Sequence, residues 1–333
     1  MALRDTVLII TNPCDPHTDA VIHFLYKMNV DVIRFHAAEC HFDSNININN
    51  DSSFIEIISS GRSFNIKNIS SVWYRRPDTV EEHVKQVKNP DKHLVVQETN
   101  AVLWGLYGQI DAIWYSHPYN IRKAAWKLYQ LTVAKKIGFN CPPYLISNNQ
   151  DLLFKFASSY NEIVMKPIDE KTTCYEIDGI PYSLYVKKFN SNELKDLFVE
   201  KPISPILLQK YINKKYDVRI TVIGQKLYTV AILPLDHQEI VDFRPFTLEL
   251  KHQVVDCPTK IQELILTYMK IMGLNFAAFD FVVDHKEEWY FLECNPNGQW
   301  LWIEIKTELP MAKSFARHLA LKEKYLLKGS HLD

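Results

Sequence analysis

The first apolar run, Val7-Leu8-Ile9-Ile10 between Thr6 and Thr11, has the continuity of a buried strand. Asn12-Pro13 ends it, and Pro, Asp, His and Thr supply turn chemistry. Residues 19–29 then carry Val21, Ile22, Leu25 and Met28 at helical spacing, and a second strand is expected over 31–36. This β-α-β opening predicts a parallel α/β unit. The loop after its first strand has no glycines, so a dinucleotide fingerprint is absent. The Asn-rich residues 44–53 read as an irregular connection. A further strand ends at 72–75 before Pro77, and a long helix is expected over about 92–109.

Residues 120–137 read as one helix, with Ala124, Leu128, Leu131 and Ala134 on a face and Gly138 at the C-cap. Beyond Pro142-Pro143 the pattern predicts a helix over 150–158 and a strand over 163–166. From about 206 the chain becomes β-rich, with strands at 207–212, 218–222 and 226–233. A helix over about 259–272 precedes a final hairpin. The division expected is 1–118, 119–205 and 206–330, of α/β class, becoming α+β towards the C-terminus.

The hairpin carries the clearest chemistry. Ala277–Val283 and Trp289–Asn295 are apolar strands joined by a polar turn, yet Asp280 and Glu293 interrupt them. A carboxylate in an apolar strand is costly unless it is paired or metal-bound. With the turn at Lys286-Glu287, Asp280 lies opposite Glu293, and Asn295 shares their face. Two carboxylates and one amide oxygen form a hard-oxygen set suited to Mg²⁺.

Composition narrows the class. The 333 residues are 47% hydrophobic and 23% charged with a net charge of -1, so no global basic field points to nucleic acid. No apolar run approaches the length of a membrane span, and the N-terminal run is shorter than a signal core. Six cysteines stand singly with no C-x-x-C, so reduced thiols in a cytoplasmic protein are expected and zinc is not.

The run Phe291-Leu292-Glu293-Cys294-Asn295-Pro296-Asn297-Gly298-Gln299-Trp300-Leu301-Trp302-Ile303-Glu304 resembles the C-terminal signature of the graspetide ligases, the ATP-grasp group that includes the microviridin ligases. Val72-Trp73-Tyr74-Arg75-Arg76-Pro77 is similar to a segment of the same group's N-terminal domain. The resemblance implies an ATP-grasp fold, with a pre-ATP-grasp domain and a nucleotide held between two α+β subdomains. It also implies ATP and Mg²⁺, a homodimer, and a ribosomal precursor peptide with a leader and a core rich in Thr, Ser, Asp and Glu.

Carried over by motif, Lys127 and Lys166 would bind nucleotide phosphates, and Gln209, Lys210 and Ile212 the adenine. Asp217 and Arg219 match an Asp-x-Arg whose arginine contacts phosphate, and Arg244 would sit near the transferred phosphoryl group. Arg75, Arg76, Lys214 and Lys215 are candidate peptide-binding residues, and Trp300 and Trp302 read as packing groups. Where many ATP-grasp proteins have a glycine-rich lid, this chain has Asp169-Glu170-Lys171-Thr172-Thr173. The expected chemistry is acyl-phosphate activation of Asp or Glu side chains, followed by ω-ester or ω-amide formation. Two alternatives stand beside it: a RimK-like ligase of amino acids or small molecules, and a catalytically silent ATP-binding regulator.

Overall fold

The computed structural model describes residues 6–51, 53–84, 91–169, 174–177, 180–183, 185–190, 193, 201–234 and 240–321. The chain opens with β1 (Thr6–Ile10), α1 (Pro16–Lys27) and β2 (Val32–Phe35). Asp15 caps α1 by accepting the His17 N–H, and Pro16 begins the helix. An antiparallel meander follows, β3 (Ser44–Ile48), β4 (Ser53–Ile57) and β5 (Arg62–Asn65). The expected irregular connection is therefore partly a strand. The Asn-Ile-Asn-Ile alternation turns Ile46 against the core while the asparagines sit at a sheet edge, so Asn content misleads there.

β6 (Ile69–Tyr74), the helix α2 (Asp91–Gln109) and β7 (Ile113–Trp114) complete a parallel sheet of order β2-β1-β6-β7. From β1 the chain runs to one neighbour, β2, and later returns on the other side as β6. The carboxyl ends of β1 and β6 thus form a topological switch point.

Residues 120–137 are not one helix. α3 (Pro118–Ala124) and α4 (Lys127–Ile137) are separate, and the chain breaks at residues 125–126. The cause is tertiary. The buried Gln130 amide donates to Ala124 O at 2.8 Å and to Cys294 O at 2.7 Å, and accepts Cys294 N–H at 2.9 Å. It thereby satisfies backbone groups on the edge of the last strand.

A central four-stranded sheet has the order β12-β9-β13-β8, from β8 (Tyr144–Ser147), β9 (Glu162–Lys166), β12 (Lys187–Asn190) and β13 (Ile206–Lys210). The helix α5 (Gln150–Ser158) packs on it, and β10 (Cys174–Ile177) pairs with β11 (Ile180–Ser183). The C-terminal sheet runs β16-β15-β14-β17-β18. Its strands are β14 (Lys214–Ile223), β15 (Lys226–Leu233), β16 (Lys251–Val254), β17 (Phe276–Asp284) and β18 (Trp289–Asn295). The helix α6 (Thr259–Met272) covers one face together with α3 and α4, through Tyr268, Met272, Ala124, Leu131 and Phe139.

α7 (Leu301–Thr307) and α8 (Met311–Leu321) close the described chain. Phe315 of α8 is fully buried against Trp73, Tyr115, Phe276 and Trp300, which come from both the first and the last sheet. Truncating it opens a cavity between the two units. Phe315→Ala is expected to cost about 3–5 kcal/mol, read as a lower midpoint in equilibrium denaturant unfolding.

Candidate active site

Three adjacent strands set out a row of charges. Arg219 on β14 is in register with Asp280 on β17, and Asp280 with Glu293 on β18. Ala278 pairs with Asn295 two positions along, so Asp280, Glu293 and Asn295 share a face, as alternation in the hairpin requires. The turn spans residues 284–288, where the Asp284 carboxylate accepts the Lys286 and Glu288 N–H groups. A bulge at Asp280/Phe281 makes Leu292 the unpaired residue of β18.

Each charge of the row has a partner. Arg219 Nη1 donates to Asp280 at 2.7 and 2.8 Å, and its Nη2 to Gln299 O at 3.0 Å. Lys127, the first residue of α4, sits 3.3 Å from Glu293 and donates to Pro167 O at 2.7 Å. Lys214 binds Asp217 at 2.6 Å, and Arg244 binds Asp242 at 2.5 Å. Lys166, ending β9, has no ion pair among the described residues. Its ammonium is brought down to about 8, first by burial and then by Lys127, Lys214 and Arg244, against the pull of Glu293.

The two carboxyls behave differently. Burial would raise Glu293, but Lys127, Lys166 and Arg244 hold it down to about 2. Burial pushes Asp280 up, Arg219 opposes this, and the Glu293 charge adds to the rise. A buried and a half-buried carboxyl side by side, with an amide oxygen alongside, suit a hard divalent cation. Asn295 Oδ1 accepts the Asn297 N–H at 3.1 Å and retains a second lone pair.

Two hollows meet at this row. One is a cleft of about 770 Å³ between the central and C-terminal sheets. Its polar lining includes Lys127, Lys166, Gln209, Lys214, Asp217 and Arg244; Val164, Val186, Val241, Val282 and Leu292 give apolar walls. The other is a broader hollow of about 1630 Å³ bordered by Arg76, Arg219, Asn295, Gln299 and Trp302. Lys127, Phe243, Arg244, Asp280 and Glu293 border both.

The expected site residues therefore gather, with differences. Lys127, Lys166, Gln209, Lys210, Ile212 and Asp217 all line the first cleft, although the Lys210 ammonium lies 5.6 Å from the Tyr160 ring centroid. Arg219 borders the second hollow rather than the first, because Asp280 and Gln299 O hold it there. Arg75 does not fit a peptide-binding role. Its side chain is buried and committed to Asp15, Asn297 O and Gly298 O. Lys214 likewise turns into the first cleft against Asp217, and the exposed Lys215 pairs with Glu287. Arg76 borders the second hollow. Lys171, Thr172 and Thr173 lie outside the described residues.

Sequence reasoning missed Leu292, since the bulge that admits it has no local signal. Val282 was within reach, two residues from Asp280 on the same strand face. It also missed why Gly298 is glycine. A Cβ there would stand 2.5 Å from Ala278 Cβ and 2.8 Å from Arg219 Nη2, so only glycine lets the turn approach the strand.

Comparison with known proteins bears on the fold and the domain families. The MvdD pre-ATP grasp domain family matches residues 6–122, and the ATP-grasp domain of prokaryotic glutathione synthetase matches residues 127–291. A RiPP-associated ATP-grasp ligase from Chryseobacterium gregarium, solved with ADP and a leader and core peptide, is 25% identical. Its TM-score is 0.84, covering 96% of this chain and 97% of that one. The macrocyclase MdnC from Microcystis aeruginosa MRC, bound to its precursor peptide MdnA, has 23% identity and a TM-score of 0.80, over 94% and 99% of the two chains. The ligase PsnB with a minimal precursor, Mg and ADP has 16% identity and a TM-score of 0.76, over 97% and 99%. No curated protein matches the sequence.

The fold and site define an ATP-grasp ligase, an enzyme that uses ATP with Mg²⁺. Its N-terminal domain match and its likeness to the RiPP-associated ligase support a graspetide ligase within that superfamily. The reading of a catalytically silent regulator gives way accordingly.

Lys166 is charged below about pH 8 and neutral above it. ATP binding to the free protein is therefore expected to weaken as pH rises through that value, by at most about tenfold per pH unit for one titrating group. Lys166→Arg, which stays charged, should flatten the profile in calorimetric titrations. A flat wild-type profile would remove Lys166 from phosphate binding.

Proposed function

We propose that the protein activates Asp or Glu side-chain carboxylates of a ribosomally made precursor peptide and joins them to Thr or Ser hydroxyls, or to Lys amines, closing ω-ester or ω-amide rings. The observation that carries this reading is the junction. The first cleft, lined by Lys127, Lys166, Gln209 and Arg244, meets a larger cationic hollow at Asp280 and Glu293. The hollow has room for a folded peptide segment, which favours a peptide over a free amino acid as the acid partner. Lys127, Lys166, Gln209, Lys210, Ile212 and Asp217 are assigned to the nucleotide, and Asp280, Glu293 and Asn295 to Mg²⁺. Arg219 and Arg244 are assigned to the reacting phosphoryl and acyl groups.

The chemistry proceeds in two displacements. A substrate carboxylate oxygen attacks the γ-phosphorus of ATP, the bond to the β-phosphate oxygen breaks, and ADP leaves. The hydroxyl or amine then attacks the carbonyl of the acyl phosphate, loses its proton, and expels phosphate. Mg²⁺ would neutralise phosphate charge during the first step. Lys166 and Arg244 approach the same charge from the central sheet and from residues 242–244. Arg219, fixed by Asp280, offers a rigid cation on the peptide side. Walls such as Val186, Val241 and Leu292 exclude water, which protects the mixed anhydride from hydrolysis.

The working domains are 1–118, 119–205 and 206–330, with α3 and α4 packed on the third sheet. The protein is placed in the cytoplasm as a homodimer. Among the described residues no helix is long and apolar enough to cross a membrane, and sedimentation analysis tests the dimer.

Incubation with ATP, Mg²⁺ and a leader-bearing precursor peptide whose core is rich in Thr, Ser, Asp and Glu should lower the peptide mass by one water per link, with one ATP consumed for each. An unchanged peptide mass, with ATP turned over only on free amino acids, would replace this reading with the small-molecule ligase. Glu293→Gln is expected to abolish turnover and, since Lys127 loses its partner, to lower the melting temperature while the fold is kept. Wild-type turnover in that variant would end the metal assignment.

A further inference from the structure

The loop that follows the metal strand, residues 296–300, does not rest on its own domain alone. It fills the crevice at the carboxyl ends of β1 and β6, where an open α/β sheet ordinarily receives a ligand. Arg75, directly after β6, is 1% exposed. Its Nε donates to Asp15 at 3.2 Å, and its Nη1 donates to Asn297 O at 2.6 Å and to Gly298 O at 3.3 Å. Arg76 Nε reaches the same Asn297 O at 2.9 Å, from a residue held at φ 39. A non-glycine residue there carries strain of about 1–2 kcal/mol, which the surrounding contacts must hold in place.

His17 supplies the other end of the clasp. Its Nδ1 lies 3.1 Å from Asp15 Oδ1, and the carboxylate can only accept, so that nitrogen carries the proton. The other nitrogen, Nε2, is then free to accept the Trp300 N–H at 3.2 Å, and the His17 ring meets the Trp300 indole edge-on. Thr11 and Thr18 complete the buried cluster by donating to Asp15. The clasped loop is flanked by the active-site contacts: Asn295 Oδ1 accepts from Asn297 N, and Gln299 O holds Arg219.

We infer that Arg75 and His17, with Asp15 behind them, are positioning residues that set the loop between Asn295 and Trp300, so that the first domain tunes the metal site and Arg219 without touching substrate. The inference rests on the assignment of Asp280, Glu293 and Asn295 to Mg²⁺. Arg75 and His17 are absent from the lining of the nucleotide cleft, so nucleotide binding without metal should not depend on them.

The test uses the full chain and its variants Arg75→Gln, Arg75→Lys and His17→Phe. Calorimetry with ADP, in Mg²⁺ and in EDTA, gives the factor by which the metal tightens ADP. Melting and steady-state kinetics accompany it. Arg75→Gln is expected to cut that factor by about tenfold, the range for losing a group that orients a metal ligand. ADP affinity in EDTA should be unchanged; kcat should fall, with KM for ATP at saturating Mg²⁺ near wild type. Arg75→Lys should recover part of the loss, since one ammonium can serve either Asp15 or the carbonyls. His17→Phe keeps the aromatic contact and should reproduce a smaller loss.

If Arg75→Gln fails to fold because Asp15 is left buried and charged, the neutral pair Asp15→Asn with Arg75→Gln takes its place. Variants that melt lower but keep the wild-type metal factor and kcat would show a merely structural role and overturn the inference. Loss of the metal factor in Glu293→Gln alone would confine that failure to this inference. Retention of the factor in Glu293→Gln would bring down the metal assignment and this inference together.

Discussion

The row Arg219–Asp280–Glu293, laid across three neighbouring strands of a buried sheet, is the constraint to which the rest of the molecule answers. One cation beside two anions in a mostly apolar sheet is not stable by itself. Each neighbouring element brings a remedy. The start of α4 brings Lys127 to Glu293, and residues 242–244 bring Arg244 towards both carboxyls. Gln130 and Asn140 pair with backbone groups on the outer edge of β18, so the strand bearing Glu293 is not left as an open edge. The break between α3 and α4 follows from this arrangement, because the Ala124 carbonyl at the end of α3 accepts from the Gln130 side chain.

The first domain is held to that row by packing as well as by hydrogen bonds. Trp73 of β6, Tyr115 just after β7, Phe276 of β17 and Trp300 just before α7 converge on Phe315. An aromatic contact of this kind fixes distance but tolerates small rotations. The buried Asp15–Arg75 pair supplies direction, since a guanidinium offers its donors in a fixed plane. Ser71 adds a further tie by donating to Leu319 O at 2.8 Å. The parallel sheet thus becomes a rigid backing for a turn that follows the last strand of another sheet.

The hairpin was legible in the sequence because its chemistry and its periodicity coincide. Asp280 and Glu293 break apolar runs, and strand alternation alone puts Asn295 beside Glu293. The helix over 259–272 and the strand over 226–233 were equally plain, bounded by Gly273 and Gly224. What stayed hidden depends on partners distant in the chain. The stretch Ala125-Trp126 carries no helix-breaking residue, and only the Cys294 backbone explains the break. Arg75 and Arg76 are adjacent and look like a surface pair, yet one is sealed in the domain junction. The Asn-rich strand β3 was lost because composition outweighed a short alternation, and the bulge that turns Leu292 into the cleft has no sequence mark.

Charge balance around the first cleft explains why one lysine stands apart. Lys214 answers Asp217, Arg244 answers Asp242, Arg219 answers Asp280 and Lys127 answers Glu293. Lys166 has no ion pair among the described residues, and its ammonium is depressed first by burial and then by the neighbouring cations. A buried lysine without an ion pair is a cation that gains by being paired with an anion. Asp242 also accepts the Val186 N–H at 3.2 Å, while Lys127 reaches Pro167 O. Two hydrogen bonds therefore cross the cleft beside this lysine, so pairing Lys166 with an anion acts on the same groups that set the spacing of the two sheets.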